Sequence, residues 1–72
     1  MTQGEIASAM GKRLVAVYDE LRAIDRELFS TLVSNNLRDP IKTAMGRVEI
    51  AVYRMERAEL GKISMWNDDR IE

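Results

Sequence analysis

Apolar residues recur along the chain at spacings of three and four, first in a long run and then, after a polar break, in a shorter one. Ile6, Met10, Leu14, Val17, Leu21, Ile24, Leu28 and Leu32 form the first stripe, and Ile41, Met45, Val48, Val52 and Met55 form the second. Residues spaced this way lie on one face of a helix, so the pattern predicts two amphipathic helices. The break Ser34-Asn35-Asn36-Leu37-Arg38-Asp39-Pro40 suits a turn in which Asp39 caps the second helix and Pro40 occupies its first turn. The expected fold is all-α, an antiparallel helical hairpin with arms at about 2–34 and 40–60. A single domain then covers residues 1–72, with 61–72 as a tail.

Local signals refine these limits. Thr2-Gln3-Gly4-Glu5 has capping-box spacing, in which hydroxyl and carboxylate satisfy opposite backbone donors. Gly61 suits a left-handed cap at the far end of the second helix. Gly11 marks either a bend or a close backbone approach, and Gly46 points to close approach by a neighbouring helix. At 1.5 Å per residue the first arm would run about 50 Å and the second about 31 Å. An antiparallel return would then stop near Val15, leaving Ile6 and Met10 to be covered by the Trp66 tail or by another subunit. Val15, Tyr18, Phe29, Val33, Ile50 and Tyr53 flank the main seam and widen the apolar faces. Such helices are packed from more than one side, so the chain is expected to assemble with itself, from dimer to hexamer.

Composition narrows the chemistry. The chain has 72 residues, with no cysteine and no histidine, so thiol catalysis, thiolate metal sites and the commonest general base are all excluded. Ser8, Ser30, Ser34 and Ser64 have no base to activate them, and Asp19, Glu20, Asp25 and Glu27 read as outward carboxylates rather than metal ligands. The reading is therefore not an enzyme, with no cofactor and no metal. Eleven basic against 12 acidic residues leave a net charge of −1, so a nucleic-acid polymer or a membrane surface is not the expected partner. No apolar run approaches the roughly 18 to 20 residues that span a bilayer, and a cytoplasmic location is expected.

Any anion site must be local. Arg47, Arg54 and Arg57 share a face of the second helix, and arginine forks match phosphate oxygens. The plain alternative is a solvated face balanced by Glu49, Glu56 and Glu59. Tyr18 and Tyr53 read as interface aromatics or, alternatively, as base-stacking groups. Thr43 reads as a surface residue or as a hydroxyl offered near the start of the second helix.

Two resemblances bear on these residues. Residues 21–28 look like the first helix of helical chorismate mutases, but Tyr18 and Asn35 stand where that family carries its substrate-binding arginines, so this likeness is rejected. Arg47-Val48-Glu49-Ile50-Ala51-Val52-Tyr53-Arg54-Met55-Glu56-Arg57-Ala58 resembles the K-L-E-x-A-x-M-W-x-x-K-A helix of phage hairpin proteins that counter CBASS and Thoeris immunity. The likeness centres on residues 38–58, and it departs at Gly46 for threonine, at Tyr53-Arg54 for Met-Trp, and at Pro40. It implies a hairpin oligomer, in the host bacterial cytoplasm, that sponges up cyclic di- or trinucleotides or cyclic ADP-ribose derivatives. On that view the ligand-binding residues are Arg38, Thr43, Arg47, Tyr53, Arg54, Arg57 and Tyr18. Two rivals remain: a helical interaction protein that docks its apolar overhang on a host protein, and a hairpin dimer that binds structured RNA.

Overall fold

Two helices pack side by side as an antiparallel hairpin, α1 (Gln3–Ser30) and α2 (Asn35–Glu59), in a computed structural model that describes residues 2–64. Met65, Trp66 and the rest of the expected tail from 65 to 72 lie outside the described residues. α1 begins as its sequence dictates. The Glu5 amide donates to Thr2 Oγ1 at 3.2 Å, and the Thr2 amide donates to Glu5 Oε1 at 3.0 Å, which closes the capping box. These bonds to Thr2 hold the Glu5 carboxyl below its ordinary value. Because the folded pKa is depressed, the cap contributes above the unfolded pKa and is lost as pH falls through the folded one.

The arms are nearly equal, which corrects the expected overhang. α1 ends at Ser30 rather than near 34, and α2 starts at Asn35 rather than Pro40. Two local causes account for the shift. At the end of α1, Leu32 takes a left-handed φ of +59°, the Leu32 amide donates to the Phe29 carbonyl and the Val33 amide to that of Leu28, both at 3.0 Å. This paired closure stops the helix. Next, Ser34 caps α2: its hydroxyl accepts the Asn36 amide at 3.1 Å, and its carbonyl accepts the Leu37 and Arg38 amides. Pro40 therefore lies inside the helix, and it leaves the exposed Asn36 without the backbone bond its carbonyl would otherwise receive.

With 28 and 25 residues the arms are about 42 Å and about 38 Å long. α2 reaches back to the start of α1, where the Gln3 side-chain amide donates to the Ala58 carbonyl at 2.9 Å. Ile6 and Met10 are accordingly half-buried, not stranded. α2 closes as expected, with Gly61 at φ +74°, its amide on the Ala58 carbonyl at 3.1 Å and the Lys62 amide on that of Arg57 at 2.9 Å.

The core is thin. Among the described residues only Ala7 and Ala58 of the apolar side chains are fully buried, at 1% and 2% exposure, and no large side chain is. Gly11 is a place of close approach, since a Cβ there would sit 3.6 Å from Met55 Cβ. Gly46 is not, because a Cβ there meets nothing within 4 Å. Gly46→Ala should therefore stabilise the hairpin by about 1 kcal/mol through helix propensity alone, read as a shift in the urea midpoint. Leu32→Gly should stabilise it by about 0.5–1 kcal/mol, because it removes a left-handed side chain that is 90% exposed and packs on little. An unchanged or lower midpoint would show that the leucine is held by contacts outside this chain.

Large apolar side chains stay exposed along the described hairpin: Val15, Val17, Ile50 and Tyr53 are 46%, 47%, 52% and 57% exposed. No described helix is long and apolar enough to cross a membrane.

Candidate functional site

The seam of the hairpin carries one charged residue from each helix. Asp25 occupies the heptad series Ala7, Gly11, Leu14, Tyr18, Leu21, Asp25, Leu28, and Arg38 opens the series Arg38, Ile41, Met45, Val48, Val52, Met55. Both series follow three-and-four spacing, so both residues face the partner helix. Arg38 Nε donates to Asp25 Oδ1 at 3.1 Å and Nη2 donates to Oδ2 at 3.3 Å, a two-pronged pairing. The Arg38 guanidinium also lies over the Phe29 ring, 4.7 Å from its centre. Arg38 is only 8% exposed and is committed to locking the turn end of the hairpin. Asp25 is its counter-ion and not an outward carboxylate. Sequence reasoning missed this pair, although a single charge interrupts each series, negative in the first and positive in the second.

The remaining candidates fall on two separate surfaces. Tyr18 and Tyr53 share a groove of about 250 Å³ with Val15, Val52, Glu49 and Glu56. Hydrogen bonding to the Glu49 carboxylate raises the Tyr18 phenol above its ordinary value of 10.0. The raised value means that this contribution is present below the ordinary tyrosine pKa and is lost as pH rises through the shifted one. Arg57 turns toward the same neighbourhood, its Nη1 donating to Tyr53 Oη at 3.3 Å and its guanidinium 5.6 Å from the ring centre. Two glutamates on the rim make this groove unfavourable for phosphate, and its apolar floor favours a helix or other uncharged surface. It runs on into a second hollow of about 380 Å³ lined by Ala7, Gly11, Val15, Met55 and Glu59 among others.

Arg47 and Arg54 stand elsewhere. Glu49 and Glu56 are each two residues further along, which is about 200° around the helix, so the arginines project from the other flank. They line a cleft of about 370 Å³ with Ile50, Ala51 and Met55 and no carboxylate. Neither makes a salt bridge with any described residue. Thr43 is exposed and is the ninth residue of α2, too far from the helix start to share its unpaired amides. The structure thus keeps Arg47 and Arg54 together and parts them from the tyrosines, from Arg57 and from Arg38.

No group of His, Cys, Asp or Glu among the described residues is arranged to hold a metal ion. Fold and surfaces define a two-helix hairpin with one acid-rimmed apolar groove and one basic cleft. No family model, no curated protein and no solved structure matches the chain.

Proposed function

We propose that the chain is a non-enzymatic, self-associating hairpin that sequesters a small phosphate-bearing ligand of the cyclic nucleotide class where copies meet. It would serve immune evasion in the manner of the phage hairpin proteins it resembles. The observation that carries this reading is the Arg47 and Arg54 pair, which flanks the apolar cleft of Ile50, Ala51 and Met55 without a counter-ion among the described residues. Guanidinium forks suit phosphate oxygens, and an apolar floor suits a base or ribose face. The cleft is shallow, so a second wall from a neighbouring copy would complete it, consistent with the 52% exposure of Ile50 beside it. Sequestration needs no catalytic group, and the ligand leaves unchanged.

Calorimetry with a panel of cyclic di- and trinucleotides and cyclic ADP-ribose variants tests the proposal. At least one should bind at micromolar protein, and Arg47→Ala and Arg54→Ala should each weaken it about tenfold or more, the worth of a charge-assisted hydrogen bond. No heat across the panel sinks the reading.

One observation favours a second reading, a docking protein that engages a host protein. Phe29, Leu32 and Leu37 are 63%, 90% and 65% exposed around the turn, so an apolar tip replaces the overhang once assigned to Ile6 and Met10. That reading expects Leu32→Asp to abolish partner capture while no nucleotide binds.

A further inference from the structure

The groove that holds Tyr18 and Tyr53 has walls of opposite charge. Lys12, Val15, Tyr18 and Arg22 follow one another at steps of three and four, so they share one flank of α1. Glu49, Val52, Glu56 and Glu59 do the same on α2. The two walls are level with each other: Lys12 and Val15 line one hollow with Glu56 and Glu59, Val15 lines the next with Val52 and Tyr53, and Tyr18 bonds Glu49 beside Arg22. Asp19 on the basic wall and Arg57 near the acidic one carry the minority sign, and Arg57 is taken up by Tyr53. Lys12, Arg22 and all three glutamates are exposed, and among the described residues no salt bridge crosses the groove.

We infer that this groove receives the same groove of a second copy, in a pair whose two-fold axis runs parallel to the helices, so that α1 of each copy lies against α2 of the other. A two-fold rotation carries no shift along its axis, so residues level in one copy stay level in the pair. Lys12 then meets Glu56 and Glu59 of the second copy, Arg22 meets its Glu49, and Val15 packs on its Val52 and Tyr53. A surface with one basic and one acidic wall is its own complement under that rotation, whereas a partner of one charge sign would be repelled by one of the walls. The other two-fold, at right angles to the helices, lays α2 on α2 and sets Glu49 against Glu56, an apposition of like charges that disfavours it. The apolar floor supplies the adhesion and the charged walls fix the orientation. Arg47 and Arg54 project from the other flank and stay outside the pair. Where they hold a ligand between copies, a consequence that rests on the proposed function, they do so at a second contact, between pairs.

Reversing one wall at a time tests the arrangement. Lys12→Glu with Arg22→Glu makes both walls acidic, and Glu49→Lys with Glu56→Lys and Glu59→Lys makes both basic. Each variant alone should sediment as a lighter species than the wild type, its association weakened about tenfold or more. Mixed one to one, the two should recover the wild-type mass, which also shows that neither has failed to fold. A wild type that sediments as a monomer, a variant that associates as tightly as the wild type, or a mixture that stays dissociated overturns the inference. Cross-linking reads the orientation, because the chain has no cysteine of its own. The Val15→Cys chain should form a disulfide with the Tyr53→Cys chain on oxidation. A Val15→Cys chain that links to itself instead places α1 on α1 and overturns the arrangement. Neither readout needs a nucleotide. If none binds while the mixture recovers its mass, the ligand reading fails and the pairing stands; nucleotide bound by a monomeric chain overturns the pairing alone.

Discussion

Asp25→Ala is expected to destabilise the hairpin by about 3 kcal/mol, the cost of leaving a buried guanidinium without its counter-ion. Among the described residues Arg38 is the only charged one that is buried, and both prongs of its fork end on Asp25. The contact with Phe29 remains in the variant, but an aromatic ring replaces little of a paired carboxylate. Domains of this kind have total stabilities of about 5 kcal/mol or little more, so most of the margin would go. A urea melt should show the loss as a collapse of the midpoint. Removing both charges should cost much less, because a buried ion pair replaced by apolar side chains of similar size is often neutral. Asp25→Leu with Arg38→Met should therefore recover most of the lost stability. A single variant that melts like the wild type would mean the pair is solvated and the turn is held by other contacts.

The second large effect is on association. Sedimentation should give a mass that is a multiple of 8.2 kDa, and the melting temperature should rise with protein concentration. The reason lies in the apolar side chains left exposed on the described hairpin, among them Val15, Ile50 and Tyr53 at 46%, 52% and 57%, which an interface of standard size, about 800 Å² from each partner, would cover. Val15 and Tyr53 line the groove with Tyr18 and Val52 and are both exposed, so this groove is where a copy would gain most. Val15→Asp with Tyr53→Asp adds charge beside Glu49 and Glu56 and should reduce the assembly to monomer. With only two alanines fully buried among the described residues, the separated hairpin should also melt at a lower temperature. A wild-type protein that sediments as a monomer, with a melting temperature constant over a hundredfold concentration range, removes both the assembly and any site shared between copies.

The hairpin itself was legible because its evidence is periodic. The second apolar stripe, a capping box at Thr2 and a glycine at 61 each act within a turn or two and formed as expected, while the first stripe lost Val17 and Leu32, which are 47% and 90% exposed. The turn was misread because two local rules competed. Proline at a first helical position is a strong signal, yet the Ser34 hydroxyl caps five residues before the predicted Asp39, and Pro40 gives up just one bond inside the helix. That shift of about one and a half turns changed the register, and with it the fate of every candidate near the linker. Arg38 moved from a linker onto the seam, Thr43 moved away from the helix start, and Ile6 and Met10 gained cover. Leu32, assigned to the first stripe, ended at the exposed tip. The parting of Arg47 and Arg54 from Tyr18 and Tyr53 was also beyond a reading by shared face. It depends on which flank of α2 meets α1, and that is set by packing across the seam.

The clip formed by Gln3 decides how the hairpin answers to mechanical load. Because it joins the two strands of the hairpin at the end opposite the turn, tension applied to residues 2 and 64 meets the Gln3 bonds first and then peels the helices apart pair by pair. Peeling breaks contacts in sequence, whereas shear must break them together, so the hairpin should yield at low force when pulled this way.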